Sequence, residues 1–108
     1  MSARPTVRIA GGEIAGTATD AGVRRFFGVP YAAAPVGPRR WKPPQPAPPW
    51  TGLRDGSRYG PDPMQLPDTS AIRRSLAPAM DEDCLNLNVW APAAVPPGGA
   101  PVMVYFAS

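Results

Sequence analysis

The sequence predicts a strand-rich chain that makes up the front part of a larger α/β sheet. Three observations predict it. From Asp81 to Pro92 the residues Asp-Glu-Asp-Cys-Leu-Asn-Leu-Asn-Val-Trp-Ala-Pro pass from consecutive acids into strict alternation, the pattern of a turn feeding a strand. Leu85, Leu87 and Val89 fall on one face, Asn86, Asn88 and Trp90 on the other, and Pro92 ends the ladder because it has no N–H to donate. Further on, Pro101-Val102-Met103-Val104-Tyr105-Phe106 is apolar on both faces, as in strands covered by helices on both sides. Nothing in the 108 residues reads as a long helix able to give that cover.

Taken in order, Val7 to Ile9, Glu13 to Thr19 and Val23 to Val29 read as three short strands. Gly11-Gly12 and Asp20-Ala21-Gly22 separate them, as tight antiparallel turns require. Phe26, Phe27 and Val29 are expected to bury. Proline dominates from Pro30 to Pro67, which excludes helix and central strand. That stretch is expected to run as extended chain pinned by Trp41, Trp50 and Tyr59. Asp68 or Thr69 caps a two-turn helix over Ser70–Ala77, ended by Pro78. Pro96-Pro97-Gly98-Gly99 forms an exposed turn between the last two strands.

Composition narrows the function classes. Seventeen prolines and eleven glycines make up about a quarter of the chain, near the low-complexity level. Yet 44% of the residues are apolar, and they cluster in strand-like runs, which excludes a wholly disordered chain. The net charge of +3 comes largely from the pairs Arg24-Arg25, Arg39-Arg40 and Arg73-Arg74. They lie on no recognisable nucleic-acid motif, so no nucleic-acid partner is expected. No run approaches transmembrane length and no secretory h-region follows Met1. The expectation is a cytoplasmic chain without a membrane partner, a secreted parent being the alternative. Cys84 is the single cysteine, so it is expected to be free and to form no disulfide.

Glu82-Asp83-Cys84-Leu85 followed by Leu87-Asn88-Val89-Trp90 and Pro92 resembles the signature of type-B carboxylesterases, the group that includes the cholinesterases. The resemblance continues through Phe27-Gly28-Val29-Pro30-Tyr31-Ala32, Pro35-Val36-Gly37, Arg40-Trp41, Trp50, Tyr59-Gly60-Pro61 and Gln65. These blocks lie in register and cover the chain from Val7 to Phe106. The resemblance implies the N-terminal, β-rich portion of an α/β-hydrolase. It divides the chain into a small antiparallel three-stranded edge sheet (7–31), proline-rich and gorge-wall loops (32–80) and the first two strands of the central sheet (81–108). It also implies an ion pair between Arg40 and Glu82, tying the proline loop to the start of the strand. A planar guanidinium suits that task because it can fork onto a carboxylate. Met64, Leu66, Ile72 and Leu76 correspond to a wall of the substrate gorge, with simple scaffold packing as the alternative for each. Animal members bridge the cysteine to a partner where this chain has Pro63.

The family's reaction needs a serine on a G-x-S-x-G turn, a histidine base, an acid, and backbone donors from a glycine-rich loop. The chain has no histidine and no serine framed by glycines at that spacing; Gly56-Ser57 comes nearest. Ala107-Ser108 follows the last strand where the oxyanion loop would begin. No catalytic residue is therefore assigned, and the chain alone is expected to hydrolyse no ester. The expected parent is a carboxylic-ester hydrolase shortened by a frameshift, a premature stop or an incomplete gene reading, and the isolated chain is expected to aggregate. No cofactor or metal is expected: Asp81, Glu82 and Asp83 are consecutive and diverge. Cys84 has no base or positive neighbour to activate it.

Two other function classes stay open. Arg40-Trp41-Lys42-Pro43-Pro44-Gln45-Pro46 fits R-x-x-P-x-x-P, which polyproline-recognising SH3 domains bind. The chain is alternatively a non-catalytic remnant whose strand edges join a partner.

Overall fold

The computed structural model describes residues 4–66 and 79–106. Among the described residues six strands and one short 3-10 helix run in the order β1 (Thr6–Ile9), β2 (Gly12–Ala15), β3 (Thr17–Ala18), β4 (Arg24–Pro30), the 3-10 helix (Gly37–Arg39), β5 (Leu53–Asp55) and β6 (Asn86–Ala91). They form two three-stranded sheets, ordered β1-β2-β5 and β3-β4-β6.

The first hairpin follows from local chemistry. β1 and β2 pair antiparallel from Thr6↔Ala15 to Ile9↔Gly12, leaving Ala10-Gly11 as a two-residue turn. Trp50 covers it, its ring so close that a side chain on Gly11 would meet it at 2.6 Å. The Trp50 amide donates to the Gly11 carbonyl at 2.9 Å and its indole N–H to the Glu13 carbonyl at 2.9 Å. An aromatic far away in sequence thus satisfies turn and strand carbonyls together. Thr19 closes the second turn: its amide donates to Val23 O, and its hydroxyl accepts from the Val23 amide.

The predicted middle strand Glu13 to Thr19 is divided, and its halves serve different sheets. Gly16 marks the break. A Cβ there would lie 2.8 Å from the Phe26 ring and closer still to the Arg25 carbonyl oxygen. Only glycine lets β4 cross so near. Arg4 holds the break open to neither side: Nε donates to Gly16 O and Nη2 to Ala15 O, each at 2.9 Å, and Nη2 pairs with Asp55 Oδ1 at 2.8 Å.

The small sheet consequently differs from the expected all-antiparallel arrangement of the first three segments. Its third strand is β5, which runs parallel to β2 from Glu13↔Leu53 to Ala15↔Asp55. Alternation over three residues is too short to reveal such a strand, and β5 sits at the sheet edge, where the proline-rich stretch can tolerate it. The segment 23–29 belongs instead to the second sheet, where β4 pairs antiparallel with β6.

A bulge between Phe26 and Val29 bends β4. Gly28 supplies it with φ of +64°, and its freed amide donates to Asn88 Oδ1 at 3.0 Å. Gly56 stitches the sheets together: its amide donates to Ala15 O at 2.7 Å, and its carbonyl accepts from the Phe27 amide at 2.9 Å. Ile14, Ala15, Phe26 and Phe27 are buried about this seam, and Ala32 and Ala33 are buried beyond β4. Val29 is half-buried.

Two further expectations change. Residues 101–106 belong to no strand, and Val102 to Phe106 are 69–95% exposed. A strand persists only through pairing and a covered face, and nothing among the described residues supplies either. Trp41, expected to pin the proline-rich stretch, is 94% exposed at φ of +60°. The Arg40 guanidinium lies over its ring, 5.7 Å from the centroid. The helix expected over Ser70–Ala77 lies outside the described residues.

Candidate functional site

The proline-rich stretch meets the acidic turn before β6 at one junction. Val36 caps the 3-10 helix, whose Gly-Pro-Arg sequence places proline in the first turn, where its missing N–H is no loss. The Arg40 amide closes onto Gly37 O at 3.1 Å, which fixes the direction of the Arg40 side chain. Across the junction, the Asp81 carboxylate accepts from the Asp83 amide at 2.9 Å. This Asx turn presents the intervening Glu82 outward. Arg40 Nη1 then donates to Glu82 Oε2 at 2.9 Å. The contact is a single N–H···O pair, and the two side chains remain 47% and 49% exposed.

Backbone bonds support the same junction. The Tyr31 amide donates to Leu85 O at 3.1 Å and the Ala33 amide to Gln45 O at 2.9 Å. The Asp81 amide donates to Asp62 O at 2.9 Å. Ala33, Pro35, Arg39, Lys42, Pro43, Pro44, Gln45 and Leu85 line a shallow groove of about 190 Å³ beside it. Its lining carries no serine, cysteine or carboxylate. Within the R-x-x-P-x-x-P pattern, Arg40 bonds Glu82 while staying half-exposed, and the Gln45 carbonyl accepts from the Ala33 amide.

The other sequence-predicted positions are scattered. Met64 is 62% and Leu66 91% exposed; Ile72 and Leu76 lie outside the described residues. Cys84 is a free, half-buried thiol. Burial pushes its pKa up, and the neighbouring Glu82 carboxylate adds to the shift, so the thiolate is disfavoured. Ser57 donates through its amide and its hydroxyl to Asp55. With Arg4 on the same carboxylate, Asp55 is held down at about 2. No imidazole exists in the sequence to take a proton from that hydroxyl. Among the described residues no three His, Cys, Asp or Glu side chains are placed to hold a metal ion, and no helix is long and apolar enough to cross a membrane.

The contacts made by the polar side of β6 were not foreseen. Asn86 Nδ2 donates to Pro61 O at 3.2 Å, and Asn88 accepts from Gly28 on the same side. Trp90 packs on Phe27 with ring centroids 5.4 Å apart, and Phe27 stacks on Tyr59 at 4.3 Å. Alternation reveals two faces but not which one meets β4's neighbours. The bulge at Gly28, with its unpaired amide, was the signal that a side-chain acceptor had to lie opposite.

Residues 3–108 match the Carboxylesterase family. The chain belongs to that family. This carboxylesterase chain is 40% identical over 108 residues to the phenmedipham hydrolase of Pseudarthrobacter oxydans, covering 97% of this chain and 22% of that protein. It is 46% identical over 83 residues to the fumonisin B1 esterase of Sphingopyxis macrogoltabida, covering 77% and 15%. Among solved structures it resembles a PNB esterase with a TM-score of 0.75 at 37% identity, covering 85% of this chain and 19% of that one. The carboxylesterase chain therefore has the α/β-hydrolase fold in its strand-rich portion and spans about a fifth of the length of its relatives.

Proposed function

We propose that these 108 residues are a scaffold segment of a carboxylic-ester hydrolase and that the segment by itself cleaves no ester. The observation that supports this reading is the junction: Arg40 and Glu82 join the proline loop to the start of β6, while no histidine stands anywhere in the sequence. Acyl transfer by a serine hydrolase requires a base, a nucleophile and oxyanion donors acting together, and those terms carry most of the rate enhancement. The segment's role is to hold the wall against which such groups act. Its substrate class is the small-molecule carboxylic ester, and the exposed Met64 and Leu66 are its contributions to the gorge.

Hydrolysis of p-nitrophenyl acetate tests this. The 108-residue chain is expected to release nitrophenol at the buffer rate. A PNB esterase whose matching segment is replaced by residues 4–106 is expected to keep its activity within about tenfold, a loss below about 1.4 kcal/mol. Catalysis by the isolated chain, or a folded chimera without activity, sinks the proposal.

A further inference from the structure

We propose that Asp55-Gly56 is an isoaspartate-forming site latched by Arg4, and that its rearrangement unfastens the two sheets from each other. It is the only point in the sequence where aspartate or asparagine precedes glycine. Glycine, without a side chain, hinders least the attack of its own amide nitrogen on the preceding carboxyl. In that step the Gly56 nitrogen gives up its proton and bonds to Asp55 Cγ, and one carboxyl oxygen departs as water, leaving a succinimide ring. Water then enters at one of the two ring carbonyls. Entry at the main-chain carbonyl breaks its bond to the Gly56 nitrogen, so the chain now runs through Cγ. The product has the mass of the parent and one more carbon in its backbone.

Packing keeps this reactive pair in place. A Cβ on Gly56 would lie 2.7 Å from Ile14 Cγ2 and 2.9 Å from the Ala15 carbonyl oxygen, and Ile14 is buried. The structure instead restrains both reacting groups. The Gly56 amide donates to Ala15 O at 2.7 Å, which holds the proton that must leave. Asp55 Oδ1 accepts from Arg4 Nη2 at 2.8 Å and from the Ser57 amide at 3.0 Å. Both bonds lower the fraction of neutral carboxyl, the form that loses water readily. Arg4 Nη2 also donates to Ala15 O at 2.9 Å, so one guanidinium fastens the acceptor of the Gly56 proton together with the carboxyl under attack. The Arg4 and Asp55 side chains remain 48% and 55% exposed, so the latch opens by local fluctuation, without global unfolding. The rearranged chain is too long for Gly56 to keep both its bond to Ala15 O and the bond it accepts from the Phe27 amide at 2.9 Å.

Incubation of the 108-residue chain at neutral pH, beside a free peptide of residues 51–60, tests this. The isomer is separated from the parent by chromatography of the proteolytic fragment that contains Asp55, at unchanged mass. In the chain it is expected to form at least about tenfold more slowly than in the peptide. Salt at about 1 M screens a half-exposed pair and is expected to speed the chain at least about twofold relative to the peptide. Arg4→Met is expected to speed it at least about threefold, and Arg4→Lys to recover part of the slow rate. Salt acts on the parent, so the test stands whether or not a variant folds. In the purified isomer the Phe27 amide is expected to exchange at least about tenfold faster than in the parent. A chain that isomerises as fast as the peptide, or a rate moved neither by salt nor by Arg4→Met, overturns the proposal. So does an isomer whose Phe27 amide exchanges at the parent's rate.

Discussion

Gly16→Ala tests the seam between the two sheets most directly. The added methyl would lie 2.8 Å from the Phe26 ring, where carbon atoms normally settle at about 3.5 Å or more. The ring must give by about 0.7 Å on that separation alone, and the Arg25 carbonyl beyond it is closer still. Phe26 is buried and cannot swing away, and β3 pairs with β4 over only two residues. The strain therefore falls on the bonds that join the sheets, at the upper end of small-to-large penalties, about 3 kcal/mol. Amide hydrogen exchange reads this locally, without requiring a cooperative melt. The Phe27 and Gly56 amides, bonded to Gly56 O and Ala15 O, are expected to exchange about a hundredfold faster, since about 1.4 kcal/mol is a factor of ten. Rates within about threefold of the parent would refute the account of Gly16, because so small a change corresponds to well under 1 kcal/mol.

Asp55 has a folded pKa of about 2 against an ordinary 3.8. A depressed carboxylate adds stability that is present above the ordinary value and lost as pH falls toward 2. Carboxyl NMR is expected to show that low midpoint, and Arg4→Met is expected to raise it. Arg40→Met and Glu82→Gln in a double-mutant cycle are expected to couple by less than about 1 kcal/mol, since the pair is half-exposed; a coupling of several kcal/mol would show a desolvated pair instead. Trp50→Phe removes the indole bond to Glu13 O, and exchange of the β1–β2 amides is expected to speed by about fivefold, equivalent to about 1 kcal/mol.

Much of the local structure was legible because it rests on local chemistry. The glycine turns, the first hairpin, the segment that became β4 and the strand before Pro92 all follow from alternation and punctuation. The exposed Trp41 was not legible: an aromatic beside prolines reads as an anchor, and only the placement of Arg40 on Glu82 shows where its ring points. β5 was hidden for a different reason. Three residues carry no period, and Leu53–Asp55 is a strand because Arg4 and Gly56 bring it alongside β2.

By itself the sequence determined which stretches alternate and where glycines punctuate the turns. Each of these is a property of one residue or its near neighbours. Only the tertiary structure decided that residues 13–18 divide between two sheets, that Asn86 and Asn88 bond to Pro61 and Gly28, and that residues 101–106 stay unpaired. Those outcomes depend on whether a distant backbone group or ring arrives within hydrogen-bond or van der Waals reach. Phe26 crosses Gly16 at such a distance, and no strand among the described residues reaches the outer edge of β6.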